Sequence, residues 1–377
     1  MERLRRSDSQ VPDYYRNVFC LLGLPFDAVD IAQAANKIRA AIDGNKRCFL
    51  STPNLNFLIA CRSDPEFRAS VVNSDLVVAD GMPIVWLARL LGIPIQQRVA
   101  GSDLFEILRK PTGNRKINVY FFGGQDGVAE MAARTVNSEN LGMWCVGHHS
   151  PGFGTIESMG NSEALAAINS SDADFLVVSL GARKGQEWIT HNLQALHTPV
   201  ISHLGAVVNF VAGNVRRAPR VFQAAGLEWL WRIKEEPQLW RRYLGDGFGL
   251  LSLMVTTILP LLATQLIEKM GRGAHSPAAV QVHHHPSRVQ LVLEGHWDLT
   301  CLQPLREALT QIAKAEEKDL CIDLLGTTSI DSAFAGLLLL ACGYQMKTGH
   351  SFRIDNASHK VTRQLTWMGV DALCDSD

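Results

Sequence analysis

The chain has 377 residues, and its 47% hydrophobic content is enough to bury a core in two or three domains. Its 36 basic and 37 acidic residues give a net charge of −1, which argues against a nucleic-acid-binding protein, because such proteins usually carry a concentrated basic excess. The eight cysteines form no CxxC pair and lie mostly in apolar runs, which indicates buried thiols in a reducing compartment. Residues 1–17 form a charged N-terminal tail with no apolar segment after it, so we expect no signal peptide and a cytoplasmic protein.

From Val18 onward, short apolar runs alternate with helical patterns. The runs VFCLLGL, RCFLSTP, LVVADG, NVYFFGG, MWCVGHH, DFLVVSLG and PVISHLG predict strands, and IAQAANKIRAAI, GVAEMAARTV and SEALAAINSS predict helices. Repeated βα units favour right-handed crossovers and therefore a parallel sheet with helices on both faces. We predict a Rossmann-like α/β domain over residues 18–212.

Polar residues follow two of the predicted strands. Thr52 and Asn54 come after the first, and Asp80 with Gly81 comes after the second. Ligands of open parallel sheets collect at the carboxyl ends of the strands. A carboxylate beside a hydroxyl and an amide can take a proton from a sugar hydroxyl, and Arg98 in the next polar loop can hold a phosphate or carboxylate. The alternatives are a turn with a helix cap at Asp80, a helix cap at Thr52 and Asn54, and a surface charge at Arg98.

A glycine-rich turn follows the strand NVYFFGG, with Gly123 and Gly124 in the pattern GGxxG. Backbone amides and the helix dipole at such a turn can receive a diphosphate. The GxGxxG spacing and the acidic ribose ligand of dinucleotide sites are missing, so the pattern favours a nucleotide-sugar over a nicotinamide cofactor and argues against an oxidoreductase.

Two strings resemble metal sites. Residues 172–174 read DAD, the pattern of metal-dependent glycosyltransferases, but they precede a strand and so lie at the edge opposite the ligands; we interpret them as a solvated turn. The histidine run at 283–285 is interpreted as a polar loop. We therefore predict no metal site.

Residues 213–270 form a predicted appendage to the α/β domain. Its first part, 213–247, contains seven basic and four acidic residues, a balance of +3, together with Trp229, Trp231, Trp240 and Tyr243. Helices with arginine and tryptophan suit an anionic membrane interface, and packing of the tryptophans on the protein core is the alternative.

The second part of the appendage, 248–267, has 20 residues without a charge. A helix of that length just spans a hydrocarbon core of ~30 Å. Pro260 interrupts the run, and a full crossing would separate the last domain from the first. We favour a re-entrant or interfacial helix, with a buried or oligomer-forming helix as the alternative.

Residues 271–287, rich in Gly, Pro, Ser and His, are the predicted linker. The remaining residues, 288–377, alternate strands and helices and resemble the STAS domain, a small β/α module of anti-sigma-factor antagonists. The STAS hallmark is an acidic residue, Ser, then Ser or Thr at a helix start, but this chain has Asp331, Ser332 and Ala333. Because Ala333 cannot accept a phosphoryl group, we expect this domain to bind a protein partner or a second copy of the chain.

Between residues 18 and 246, seven segments together resemble the WecG/TagA/CpsF glycosyltransferases, glycosyltransferase family 26. They are TPNLNFL, VVADGMPIVWLARLLG, QQRVAGSDLFEIL, YFFGGQDGVAE, GHHSPGFG, VVSLGARKGQEWI and SHLGAVVNFVAGNVRRAPRVFQAAGLEWLWRIKEEP. The resemblance implies a metal-independent, inverting enzyme at the cytoplasmic face of the membrane. Such an enzyme moves an N-acetylmannosamine-type or uronic-acid-type sugar from a UDP-sugar to a polyprenyl-diphosphate-linked saccharide in surface polysaccharide biosynthesis. A non-catalytic scaffold regulated through the STAS domain is the alternative.

The resemblance also assigns roles to residues. Asp80 is the expected general base, with Thr52 beside it. The family usually shows GxPKQExW where this chain has Arg183 in place of the proline and Gly185 before Gln186. In the family, appendage arginines reach the nucleotide diphosphate. The expected substrate-binding residues are Asn54, Arg98, Gly123, Gly124, Gln186, Arg232 and Arg242.

Overall fold

A computed structural model describes residues 12–113, 115–219, 221–222, 226–270, 276–315 and 318–373. The strands are β1 (Val18–Leu21), β2 (Leu24–Asp27), β3 (Cys48–Ser51), β4 (Leu76–Val77), β5 (Ile117–Gly123), β6 (Met143–His149), β7 (Phe175–Ser179), β8 (Val200–His203), β9 (Ala279–His284), β10 (Arg288–Trp297), β11 (Asp319–Ile330) and β12 (Phe352–Asp355).

The helices of the first domain are α1 (Ile31–Asp43), α2 (Leu55–Ala60), α3 (Pro65–Val72), α4 (Met82–Leu90), α5 (Gly101–Leu108), α6 (Val128–Glu139), α7 (Ile156–Met159), α8 (Ser162–Ser170), α9 (Ala182–Asn192) and α10 (Gly205–Val211). The later helices are α11 (Glu228–Glu235), α12 (Trp240–Leu253), α13 (Leu259–Met270), α14 (Gln303–Ala315), α15 (Ser332–Thr348) and α16 (His359–Met368). A π-helical turn, Met254–Ile258, joins α12 to α13, and short 3₁₀ turns occupy Pro237–Leu239 and Asp371–Leu373.

The predicted Rossmann-like sheet is confirmed. In the described part of the chain it has six parallel strands in the order β4-β3-β8-β7-β5-β6. Every residue of the central strands β3, β7 and β8 is buried, because helices cover both faces of the sheet. All carboxyl ends therefore lie at one edge, and the polar residues that follow β3 and β4 are neighbours there.

The run VFCLLGL does not join this sheet. It forms an antiparallel hairpin of β1 and β2 with a two-residue turn, Leu22 and Gly23, both at positive φ (51° and 86°). Such a turn matches the twist of a hairpin. Asp27 at the end of β2 accepts a hydrogen bond from the Val77 backbone N–H at 2.8 Å and forms an ion pair with Arg16 at 2.6 Å. The hairpin is therefore fastened to the outer edge of the sheet, beside β4.

The second domain contains a sheet in the order β12-β11-β10-β9, with β9 antiparallel and the others parallel. This mixed sheet agrees with the STAS expectation. One boundary was wrong: β9, with His283 and His284, lies inside the predicted linker 271–287. Val280 and Val282 alternate with polar residues on this strand, and pairing with β10 outweighs the loop-like composition of the neighbouring residues.

One continuous apolar core crosses from the first domain into the second. It contains the hairpin, the inward residues of α2 and α4, the STAS sheet and α15. The appendage joins it through Leu253, Ile258 and Leu261. Two further cores cover the two faces of the parallel sheet: one packs α1, α5, α6 and α10, and the other packs α7, α8 and α9.

Candidate active site

Asp80 lies at the carboxyl end of β4, beyond the edge of the sheet. Its backbone N–H donates to the carbonyl of Pro53 at 2.9 Å, which holds the residues after β3 and β4 side by side. The carboxylate accepts a hydrogen bond from the N–H of Gly101, the first residue of α5. Burial nevertheless raises the pKa of Asp80 to about 7, against the lowering effects of Arg98 and of Gly101. A carboxylate with a pKa near neutrality is suited to general-base catalysis.

The alternative interpretation of Asp80 as a cap for the helix that follows is wrong. That helix, α4, begins after Gly81, which has φ of 121° and provides no side-chain cap. Only glycine adopts this backbone conformation readily. The side chain of Asp80 is therefore available for a role across the crevice, toward α5.

Thr52 and Asn54 lie beside Asp80 but differ in exposure. Thr52 is 7% exposed and faces Gly101, where a Cβ atom would lie 3.6 Å from its Oγ1. Asn54 is exposed, and its side chain accepts a hydrogen bond from the backbone N–H of Phe57 at 3.2 Å, so it caps α2. The capping alternative is thus correct for Asn54, and its predicted contact with the sugar remains a prediction.

Arg98 carries the positive charge next to Asp80, with its side chain only 12% exposed. It forms ion pairs with Asp103 at 2.6 Å and with Glu228 of α11. Asp103 in turn pairs with Arg217. The surface-charge alternative is therefore wrong, and a chain of alternating charges fastens the appendage over the Asp80 end of the sheet. Sequence reasoning did not identify Asp103, Arg217 or Glu228, because their roles depend on contacts between distant segments.

The glycine-rich turn lies at the carboxyl end of β5. A Cβ atom at Gly123 would lie 2.6 Å from the carbonyl of Ser179, and the N–H of Gly124 donates to that carbonyl at 2.7 Å. The turn therefore needs glycine to approach β7. Four strand-to-strand steps of ~4.8 Å separate β5 from β4, so the turn and Asp80 lie roughly 19 Å apart along one edge. That span suits an elongated ligand such as a nucleotide-sugar.

The prediction that Gln186 lines the nucleotide site is not supported by its position. Gln186 is fully buried and donates to the Ser51 hydroxyl at 2.8 Å, which contacts Ser74 at 2.7 Å. The Gly185 insertion has a physical reason here, because a Cβ atom at that position would lie 2.2 Å from the ring of His203. Close packing of α9 on β8 turns Gln186 inward, where its side chain binds Ser51 at the end of β3.

The two predicted appendage arginines lie in different surroundings. Arg232 pairs with Glu236 at 2.6 Å and lies 5.6 Å from the centre of the Phe210 ring, on which Arg217 also packs at 5.9 Å. Arg242 is exposed and stacks over Tyr243 at 4.9 Å. Arg232 thus belongs to the same edge as Arg217, and Arg242 lies near Asp246, which binds Asn56 of α2 at 2.9 Å. Their contact with a diphosphate remains a prediction.

The DAD string lies at the amino-terminal end of β7, at the edge opposite Asp80, as its position before the strand predicted. It is only partly a solvated turn. Asp172 is exposed at φ of 51°, but Asp174 is 6% exposed, pairs with Arg115 and accepts the N–H of Asn118 at 2.8 Å. In the parts of the chain that the structure describes, no group of three or more His, Cys, Asp or Glu residues could hold a metal ion.

Comparison with known proteins agrees with this architecture. Residues 19–262 match the glycosyl transferase WecG/TagA/CpsF family, and residues 280–375 match the family described as Mlab, STAS domain. Over 204 residues the chain is 30% identical to N-acetylglucosaminyldiphosphoundecaprenol N-acetyl-beta-D-mannosaminyltransferase of Bacillus spizizenii, covering 54% of this chain and 77% of that enzyme. The chain belongs to the WecG/TagA/CpsF family, is a hexosyltransferase, and carries a C-terminal STAS domain.

Proposed function

We propose that this member of the WecG/TagA/CpsF family transfers a sugar of the N-acetylmannosamine or uronic acid type from a UDP-sugar to a polyprenyl-diphosphate-linked saccharide. The observation that carries the proposal is the half-buried Asp80, with a pKa of about 7, at one end of an edge whose other end is the turn at Gly123 and Gly124. The relative from Bacillus spizizenii is named for an N-acetylmannosamine transfer to a diphosphoundecaprenol-linked sugar.

The chemistry follows from the placement of the charged groups. Asp80 accepts the proton of the acceptor hydroxyl as that oxygen forms a bond to the anomeric carbon of the donor. The bond between that carbon and the UDP oxygen breaks, and the leaving diphosphate keeps the electron pair. Attack from the face opposite the leaving group inverts the anomeric centre. Arg98, Arg217 and Arg232 supply positive charge near this edge, and arginines can stabilise a diphosphate without a metal ion.

The donor and acceptor are best tested with the purified full chain. A panel of UDP-sugars is offered together with a short-chain prenyl-diphosphate-linked N-acetylglucosamine, and product formation is followed by mass spectrometry. We expect transfer from UDP-N-acetylmannosamine or from its uronic acid. Transfer from other UDP-sugars alone would contradict the donor assignment, and hydrolysis without transfer would contradict the acceptor assignment.

We also place the enzyme on the cytoplasmic face of the membrane, lying on it without crossing it. The segment Pro237–Leu266 is helical, and by length and composition it could cross a bilayer. However, its inner side packs on the protein: Gly249 lies against Ile59, and Leu253, Ile258 and Leu261 are buried. Its outer side carries apolar residues that are 49–66% exposed and recur at intervals of three, four or seven positions: Trp240, Leu244, Phe248, Leu251, Val255, Leu259 and Leu266.

This outer stripe is about 40 Å long at ~1.5 Å per residue. An exposed apolar stripe along a helix that is held against a protein suits insertion into the headgroup region of the cytoplasmic leaflet, parallel to the membrane plane. Arg241, Arg242 and Lys234 are exposed near its first turns, where anionic lipid headgroups would attract them. A polyprenyl acceptor held in the same membrane could then reach Asp80.

A further inference from the structure

The STAS helix α15 has an unusual composition for a helix of a small domain. Residues 333–345 are all buried, and apolar side chains surround the helix on every side. A helix that is apolar all round must be covered on all sides. The STAS sheet covers one side of α15. The other side contacts the hairpin and α3 of the transferase domain.

This second contact is close along its whole length. At the first turn of α15, the Ser332 hydroxyl donates to the carbonyl of Cys20 at 2.7 Å. One turn later, a Cβ atom at Gly336 would lie 2.7 Å from the carbonyl oxygen of Val18. At Gly343 a Cβ atom would lie 2.7 Å from the carbonyl oxygen of Val72 in α3.

Polar contacts close both ends of the same surface. Lys347 at the last turn of α15 forms an ion pair with Asp75 at 2.5 Å, and Asp75 accepts the backbone N–H of Phe49 in β3 at 2.8 Å. Arg68 of α3 donates to the carbonyls of Gly23 at 3.2 Å and Gly369 at 2.8 Å. The hairpin turn and the end of α16 are thereby joined.

We propose that the STAS domain binds its own transferase domain through the stripe Ser332, Gly336, Gly343 and Lys347, which we call the docking face, and that this face is closed to any other protein. The occupant is the β1–β2 hairpin together with α3 of the same chain. Residues 332, 336, 343 and 347 follow the spacing of one helix face, and two of the four are glycines at which an added Cβ atom would lie nearest to transferase atoms.

Two consequences follow. The STAS domain is a fixed part of the catalytic unit, because it holds the amino-terminal ends of β3 and β4, whose other ends carry Thr52 and Asp80. A phosphoryl group on Ser332 would add charge where the hydroxyl now meets the Cys20 carbonyl, so such a modification and the docked arrangement exclude each other. Partners of this domain must use a different surface.

The direction in which a glycine-to-alanine substitution moves the Tm of the full chain tests the proposal. Alanine stabilises the interior of a helix relative to glycine when nothing obstructs its methyl group. Gly245 in α12 has no atom within 4 Å of an added Cβ and is the matched control. We expect Gly245→Ala to keep or raise the Tm, and Gly336→Ala and Gly343→Ala each to lower it by roughly 2–4 °C or more. If both docking-face variants raise the Tm as the control does, the proposal is overturned.

A second measurement uses the unaltered chain, so it does not depend on the folding of any variant. The Cys20 thiol is 2% exposed and donates to the carbonyl of Met368 at 3.3 Å, so separation of the hairpin from the STAS domain would uncover it. Cys145 in β6 is buried far from this contact and serves as the reference thiol. Alkylation of the native full chain, mapped by mass spectrometry, should leave Cys20 at least tenfold less reactive than the partly exposed Cys301. Labelling of Cys20 at the Cys301 rate, with Cys145 still protected, would overturn the docked arrangement.

Discussion

Two aspartates lie beside strand β4, and their surroundings differ: Asp27 is buried, and Asp80 is half-buried. At the outer edge of β4, Asp27 is 2% exposed and its carboxylate is bound by Arg16, by Lys37 at 4.0 Å and by the Val77 N–H. At the carboxyl end, Asp80 shares Arg98 with two other carboxylates, Asp103 and Glu228, and its pKa rises to about 7. The charge of Asp27 is compensated by its partners and serves stability. The charge of Asp80 is only partly compensated, which is unfavourable in the folded protein but suits catalysis.

The largest effect should come from removing the charge of Asp80. Asp80→Asn is expected to lower kcat by roughly 10²-fold or more while UDP binding survives, because a general base acts in the transition state. Turnover and UDP affinity measured side by side test this. A near-normal kcat would remove Asp80 from the mechanism.

The variants Asp80→Asn and Asp27→Asn should change the stability of the protein in opposite directions. Because the folded-state pKa of Asp80 is raised above its ordinary value, its contribution to stability is lost as pH rises from about 4 through about 7. At pH 8, Asp80→Asn should therefore unfold at a higher temperature than the unaltered chain. Asp27→Asn should unfold at a lower temperature, with its free energy of unfolding reduced by on the order of 3–5 kcal/mol, because it leaves Arg16 buried without its partner. Equal shifts for both variants would contradict the comparison.

Lipid binding distinguishes the two sides of the appendage helix. Phe248→Glu and Leu251→Glu place charge on the outer stripe, and each should weaken binding to anionic vesicles by about tenfold or more while the protein stays folded. Ser252→Glu, exposed on the same helix beside the stripe, is the matched control. Vesicle flotation with circular dichroism measures both properties. Unchanged flotation of the stripe variants would favour an oligomer-forming helix.

A smaller effect is expected from the carboxylates around Asp80. Glu228 and Asp103 raise the pKa of Asp80, while Arg98 and the Gly101 N–H lower it. Glu228→Gln removes one raising charge, so the acid limb of kcat/KM should move to lower pH by a fraction of a unit to about one unit. Glu235→Gln, at the last residue of the same helix, is the control. A shift in both variants would indicate a general charge effect.

The sequence predicted what depends on local pattern. Strand runs and the turns after them placed Asp80, Thr52 and Gly123 on the correct edge, because the carboxyl ends of parallel strands meet by topology alone. It did not predict the hairpin, since four apolar residues such as Val18–Leu21 fit a buried parallel strand equally well. The inward turn of Gln186 depends on the contact of Gly185 with His203, and the Arg98 network joins segments 130 residues apart. Such contacts leave no local signal.

The smallest effect should come from metal removal and from the DAD string. Asp174 is already bound to Arg115 and to the Asn118 N–H, and it lies at the edge away from Asp80, so it is committed to holding β5 and β7 together. Charge on the donor diphosphate would be met by arginines and backbone amides, which chelation leaves in place. We expect EDTA to change kcat by less than about twofold and Asp172→Ala to be neutral, while Asp174→Ala should lower the Tm and leave the turnover of the remaining folded protein intact. Full loss of activity on chelation, restored by Mn²⁺ or Mg²⁺, would return the string to the active site and require the sugar to bind at the other end of the sheet.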